Sequence, residues 1–266
     1  MPTKTIVLIH GLFVSKHSWQ PWVEYYQAKG YTVLTPAWPG RDQSVAELKQ
    51  RSNDPALAQH TLKESIDYHV KFIQSLPEKP IVIGHSMGGL ITQILANRQL
   101  ISAGVAIDSA PPQGVISTKW SFIKSALPML NPFRSTSKPF MMPFEHFQYS
   151  FVNGMPLAEQ QAIYQNQVVP ESLHNLRQSL TSVSRVDFKA EHAPLLLIAG
   201  EIDHIIPASL NYSNYRKYRN SKSLTDFKQF AGRNHYIVGQ PNWQEVAEYA
   251  LNWVETKALA SQSVAQ

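Results

Sequence analysis

The stretch PIVIGHSMGGLITQILA, residues 80–96, decides how this chain is read. An apolar run suited to a buried strand stops at Gly84-His85-Ser86-Met87-Gly88-Gly89, and a second apolar run with a helical pattern follows. A sharp strand-to-helix turn brings side chains into collision, and flanking glycines leave the room that larger residues would fill. The residue at the apex of such a turn projects at the carboxyl end of the sheet, where open α/β folds bind their ligands. Here that residue is Ser86.

Short apolar runs like the first one recur along the chain: TIVLIH (5–10), YTVLTP (31–36), AGVAID (103–108), PLLLIAG (194–200) and LTDFKQF (224–230). Most are continuous rather than alternating, the pattern of strands covered on both faces. Helical segments fall between them. SWQPWVEYYQAKG stops at Gly30, and TLKESIDYHVKFIQSLP repeats Leu62, Ile66, Val70 and Ile73 at helical spacing before Pro77. NWQEVAEYALNWVETKALA has the same character near the C-terminus. Strands alternating with helices predict an α/β fold, a mainly parallel sheet with helices on both faces.

One interval breaks the alternation. Residues 112–192 hold no convincing strand but many prolines and large apolar residues, among them Trp120, Phe122, Phe133, Phe140, Phe144, Phe147 and Phe151. About eighty residues are too many for a bare loop, so an inserted helical cap is expected there. The core is then residues 1–111 and 193–258, with a flexible tail at 259–266.

Composition narrows the chemistry. A chain of 266 residues with 43% hydrophobic residues can bury a core without staples. With no cysteine, disulfides, thiolate metal sites and cysteine nucleophiles are all excluded. No apolar run reaches membrane-spanning length, and TIVLIH is too short for a signal-peptide core, so a soluble cytoplasmic protein without membrane insertion is expected. The formal charge is +5. Its densest patch, Arg216, Lys217, Arg219 and Lys222 with Tyr215 and Tyr218 between them, reads as a solvated helix face, because no second basic element accompanies it. No nucleic-acid partner is implied, and a monomer or homodimer is expected.

A serine hydroxyl becomes a nucleophile when a base takes its proton and an acid fixes the base's tautomer. Around the Ser86 motif these should follow in the order acid, then histidine. LLLIAGEIDHIIP offers Asp203 just past a strand, and FAGRNHYIVGQP offers His235 just past the last one. Asp108, after AGVAI, is the competing acid; Glu201 is a weaker one. His85 adjoins the nucleophile but should point away from it on a tight elbow, and His204 suits the surface. An oxyanion hole needs two N–H donors. Met87 follows the nucleophile, and Leu12 follows Gly11 in IHGLF, where glycine permits close approach. His10 is expected to brace that loop.

The segments LIHGLF, GHSMGG, GEIDHIIP and GRNHYIVG, in this order, resemble the α/β-hydrolase superfamily over essentially the whole chain. The first two strands of larger members have no counterpart, since the chain begins almost directly on TIVLIH. The resemblance implies Ser86 as nucleophile, His235 as base, Asp203 as acid, and Leu12 and Met87 as oxyanion donors. Haloalkane dehalogenases and epoxide hydrolases of the superfamily carry aspartate where Ser86 stands, which argues against both. No dinucleotide fingerprint, phosphate loop or zinc-binding histidine spacing occurs, so neither a metal nor an organic cofactor is implied. The function expected is hydrolysis of a hydrophobic or bulky carboxylic ester or lactone through an acyl-serine. Macrolide esterases and acyl-homoserine lactonases share this broad layout, so a macrolactone falls within that range. Phe13, Trp38, Trp120, Phe144 and Phe147 are the candidate pocket residues, and Arg41 either lines the entrance or is held in a structural salt bridge. The alternatives are a carbon–carbon hydrolase, an acyltransferase, a perhydrolase or haloperoxidase, and, as a separate class, a small-molecule receptor without catalysis.

Overall fold

A computed structural model describes residues 3–131 and 133–260. Six strands form one sheet, every pairing parallel: β1 (Thr5–Ile9), β2 (Thr32–Leu34), β3 (Ile81–His85), β4 (Ala103–Ile107), β5 (Leu195–Gly200) and β6 (Thr225–Phe230), in the spatial order β2-β1-β3-β4-β5-β6. All the strand carboxyl ends therefore point to one edge. The continuous apolar runs are explained by burial on both sides. Val7, Ile9, Val82, Ala106, Leu195 and Leu197 join one core cluster, while Ile6, Leu8, Ile81, Ile83, Val105, Ile107, Leu196 and Ile198 join the other. Each such valine, leucine or isoleucine side chain, removed from water, contributes about 1.5–3 kcal/mol.

Helices α1 (Gln20–Ala28), α2 (Val45–Gln50), α3 (Pro55–Gln59), α4 (Leu62–Gln74) and α5 (Met87–Asn97) lie between the first four strands. Leu62, Ile66 and Ile73 of α4 bury the stripe read from the sequence, together with Leu90, Ile91 and Ile94 of α5. Thr61 and Glu64 close a capping box at the start of α4, a device worth about 1 kcal/mol. Trp22 and Tyr26 of α1 cover the opposite face.

Between β4 and β5 the chain forms α6 (Trp120–Leu130), α7 (Phe144–Ser150), α8 (Leu157–Gln167) and α9 (Leu173–Gln178). Among the described residues, its one β contact is an isolated antiparallel bridge between Phe140 and Glu171. This segment packs onto the α4–α5 side through Met129, Met142, Phe147, Phe151 and Leu173. The chain ends with α10 (Ala208–Lys217) between β5 and β6, and α11 (Gln244–Trp253), whose Val246, Ala250 and Trp253 join the α1 side. Leu259 is helical and half-buried against that cluster, so packing extends past the boundary expected at 258. The remainder of the expected tail, residues 261–266, lies outside the described residues. Among the described residues, no helix is long and apolar enough to cross a membrane.

Two glycines set how closely α5 can approach the sheet. A Cβ on Gly88 would stand 2.1 Å from the Ile9 carbonyl oxygen, and one on Gly84 would stand 2.1 Å from the Gly88 carbonyl oxygen. Both neighbours are backbone and cannot swing aside. Gly88→Ala is accordingly expected to lower unfolding free energy by about 3 kcal/mol in chemical denaturation. A loss below about 0.5 kcal/mol would show that the helix has slack against β1.

Candidate active site

Because the sheet is parallel, residues just beyond the strand ends gather at one edge. Leu12 follows β1, Ser86 follows β3, Asp108 follows β4, Asp203 follows β5 and His235 follows β6. Three non-glycine residues at this edge hold left-handed backbone: Phe13 at φ 65°, Ser86 at φ 56° and Asp108 at φ 40°. Such conformations cost about 1–3 kcal/mol each and persist only where surrounding structure enforces them. At Ser86 the enforcement is visible. Its N–H donates to the Ile107 carbonyl at 2.9 Å, and its carbonyl accepts from Ala110 at 2.9 Å and Gly89 at 3.0 Å.

His235 is fully buried, and its Nδ1 pairs with Asp203 Oδ2 at 2.6 Å. The other carboxylate oxygen of Asp203 accepts the N–H groups of Ile205 and Ile206, both at 2.8 Å. Asp108, the rival acid, is buried as deeply. Its Oδ1 accepts the Gly200 N–H at 2.7 Å, and its carboxyl is hydrogen-bonded to that of Asp203. Burial pushes both carboxyls up from the usual range. On Asp203 the N–H groups of Ile206 and Ile205 and the hydrogen bond from Asp108 oppose that push, whereas on Asp108 the charge of Asp203 adds to it against a single opposing N–H from Gly200. The donors therefore mark Asp203 as the ionised member and leave Asp108 protonated, since adjacent buried carboxylates resist double ionisation.

The His85 ring is bonded to the loop after β6. Its Nε2 bonds the His235 carbonyl at 2.8 Å, and the two rings lie 4.7 Å apart. The Phe151 ring stands edge-on to His235 at 4.7 Å. Nε2 of His235 is buried with no partner, and no hydrogen bond joins it to Ser86 among the described residues. Catalytic hydrogen bonds in unliganded sites commonly form only around substrate. His85, Asp108 and His235 offer ligand atoms within 4.8 Å of one another, a spacing a metal ion could use. Each already spends one such atom on the protein, through the His235 carbonyl, the Gly200 N–H and the Asp203 carboxylate.

On the β1 side, the His10 ring bonds the Gly11 carbonyl at 2.8 Å and so braces the loop. Gly11 passes so close that a Cβ there would stand 2.8 Å from Ser86 Cβ. The N–H groups of Leu12 and Met87 carry no protein hydrogen bond among the described residues.

A cavity of about 80 Å³ opens on Ser86, Leu12, Phe13 and Met87. The expected lining needs correction. Phe13 does line it, but Trp38, Trp120, Phe144 and Phe147 are not among the described lining residues. Trp38 is buried in the core and stacked on His10 at 5.0 Å, and Trp120 is 71% exposed on the outer side of α6. Phe144 stands edge-on to Tyr164, and Phe147 stacks on Phe151 at 5.1 Å, one layer behind the wall. The wall is made by Phe122, Ala126, Met129 and Leu130 of α6, with Phe151, Leu180, Ile205 and Ile206. The spacing 122, 126, 129, 130 is one helical face, and that signal could have singled out these residues from sequence. A second correction concerns the basic patch. Arg185 and Lys189, remote in sequence, share an open cleft with Arg216, Lys217 and Arg219.

Residues 6–249 match the profile of the alpha/beta hydrolase family, and the chain belongs to that family. Over 88 residues it is 35% identical to (E)-2-((N-methylformamido)methylene)succinate hydrolase of Acinetobacter baylyi, a stretch covering 33% of this chain and 30% of that protein. The match thus spans less than a third of that relative's length. Among solved structures, a monoacylglycerol lipase of Paleococcus ferrophilus superposes with a TM-score of 0.66 at 20% identity, covering 94% of this chain and 93% of that one. An extracellular alpha/beta-hydrolase of a Paenibacillus species, described as sharing structural and functional homology with tobacco salicylic acid binding protein 2, gives 0.69 at 22% identity, covering 94% and 98%. These structural likenesses are likenesses of fold.

Burial pushes the His235 imidazole down from 6.5 to about 3, so it is neutral at neutral pH, the form able to accept a proton. Its ring protons are expected to show no titration by NMR as pH falls through 6.5, with His235→Asn supplying the assignment. A midpoint at or above 7 would mean that the Asp203 charge outweighs burial.

Proposed function

We propose that this chain is a serine hydrolase of carboxylic esters, with Ser86 as nucleophile, His235 as base, Asp203 as acid, and the Leu12 and Met87 N–H groups as the oxyanion hole. One observation carries the reading: Asp203 holds Nδ1 of a buried, neutral histidine, leaving Nε2 unpartnered at the sheet edge where Ser86 stands. Ser86 Oγ attacks the ester carbonyl as its proton passes to His235 Nε2, and Asp203 stabilises the imidazolium. The negative oxygen meets the Met87 N–H at the N-terminus of α5, where the helix dipole favours it, and the Leu12 N–H from the loop after β1. The leaving alcohol takes the proton from His235. Water, activated by the same base, then releases the acid and restores Ser86.

The cavity supports a slender apolar substrate. At about 80 Å³ it is well below the roughly 300–1,000 Å³ of sites that enclose drug-sized ligands. A macrolactone would require the α6 wall to move, so simple esters with a short or medium apolar chain fit the site better. The residues described above supply no anchor for a large polar ring.

Ser86→Ala is expected to remove ester turnover by about 10⁴-fold or more while leaving circular dichroism and Tm unchanged. A fluorophosphonate should add once to wild type, at Ser86. Turnover retained in the alanine variant would sink the nucleophile assignment, and single turnover followed by arrest would favour a receptor. Asp203→Asn should lower kcat by about 10⁴-fold through the wrong imidazole tautomer, and Asp108→Asn by less than about 10-fold. The reverse order would move the acid to β4. In a p-nitrophenyl ester series, kcat/KM should peak at short or medium acyl chains and exceed that for any macrolactone; a macrolactone ahead of the series would overturn the substrate class.

A further inference from the structure

Arg41 and Glu171 form an ion pair whose two side chains are wholly buried. Arg41 leaves the loop after β2, while Glu171 lies in the segment between α8 and α9. The pair does more than join these segments. Arg41 Nη2 donates to the Pro170 carbonyl at 2.6 Å, and Glu171 Oε1 accepts the Ser172 N–H at 2.8 Å. Glu171 is also bonded through its backbone to Phe140 in both directions, at 2.7 and 2.9 Å. Most telling is its second oxygen. Oε2 accepts the N–H of Phe13 at 3.4 Å, and the Phe13 carbonyl accepts the Val169 N–H at 2.9 Å. Both backbone groups of Phe13 are thus held by residues 169–171, and Phe13 is one of the strained left-handed residues at the site edge.

Phe13 follows Leu12 directly, so its φ fixes the peptide that neighbours the Leu12 N–H. We infer that the Arg41–Glu171 pair is a positioning device for the oxyanion hole, clamping Phe13 so that the Leu12 N–H faces the Ser86 carbonyl adduct. This rests on the ester-hydrolase reading above. The charge balance supports it. A bare carboxylate one residue from an oxyanion donor would oppose the negative charge that develops there, and Arg41 cancels it. Stability alone is a poor reason for the pair, because an apolar pair of similar volume usually packs as well as a buried ion pair or better. Arg41 Nε moreover has no partner among the described residues. Arg41 and Glu171 act through Phe13 and Leu12 and touch no substrate.

Three variants test the inference with a short-chain ester, a trifluoromethyl ketone analogue that forms an oxyanion on serine, and a fluorophosphonate. Glu171→Gln keeps the shape and an acceptor for Phe13 but removes the charge that holds Arg41; kcat should fall about 10-fold with KM within about twofold. Arg41→Met leaves the carboxylate uncompensated and should cost about 100-fold, within the range for losing one oxyanion donor. The double variant Arg41→Met/Glu171→Leu buries no unpaired charge and should regain the wild-type Tm while its kcat stays at least about 10-fold low. Ketone affinity should fall in step with kcat/KM. Recovery of kcat and ketone affinity together with Tm in the double variant would reduce the pair to a structural contact and overturn the inference. Wild type that neither turns over ester nor takes a fluorophosphonate on Ser86 would instead overturn the hydrolase reading, and the inference with it.

Discussion

The first turn of α5 lies against the backbone of β1 at a distance that admits no side chain, since any Cβ on Gly88 would sit inside the Ile9 carbonyl group. Several features of the site edge follow from that contact. It forces the chain to reverse within one residue after β3, which places Ser86 in left-handed backbone. It brings the N-terminus of α5 to the same point, so the unpaired N–H of Met87 and the positive end of the helix share the edge with the Ser86 hydroxyl. It also draws the β1 loop inward until Gly11 touches Ser86. The strain at Ser86 is offset by hydrogen bonds to Ile107, Ala110 and Gly89, and by the apolar burial of the central strands.

Charge in the site is governed by donor supply. Asp108 and Asp203 are both buried beside His235, and desolvation works against the ionisation of each. Two backbone N–H groups, a histidine ring N–H and the Asp108 carboxyl converge on Asp203, against a single N–H on Asp108. The tight turn from Asp203 to Ile206 supplies those extra donors, so local backbone geometry decides which acid carries the charge. A neutral acid nearby adds no second negative charge that would hold His235 protonated.

The parallel sheet and the positions of Ser86, Asp203 and His235 were legible because each depends on local chemistry: a continuous apolar run, a glycine pair that permits a tight turn, a polar residue just past a strand. The pocket wall was not. Trp120 and Phe144 stand out by size, but size does not tell which face of a helix turns inward, and Trp120 faces solvent while Ala126 faces the cavity. The role of Glu171 was hidden for a different reason. Its partners, Arg41 and Phe13, lie 130 and 158 residues away in sequence, and no periodicity links them. Arg185 and Lys189 joined the basic patch in the same unreadable way, through tertiary folding alone.

The segment between β4 and β5 serves the site edge with two different parts. Its second half is pinned to the core: Phe151 accepts from the Tyr236 N–H at 3.0 Å, the Asn153 carbonyl accepts from the Asn234 side chain at 2.9 Å, and Val169 donates to Phe13. Those bonds reach the loops that carry His235 and Leu12, so this half cannot shift without disturbing both. Helix α6, which forms much of the cavity wall, is held differently. The His146 ring bonds its Ser125 carbonyl, and Arg134 bonds its Pro128 carbonyl, both within the same segment. Pro128 removes a helical hydrogen bond from its last turn. The side-chain hydrogen bonds of α6 thus stay within its own segment, whereas residues 151–171 are bonded to the loops that carry Leu12 and His235.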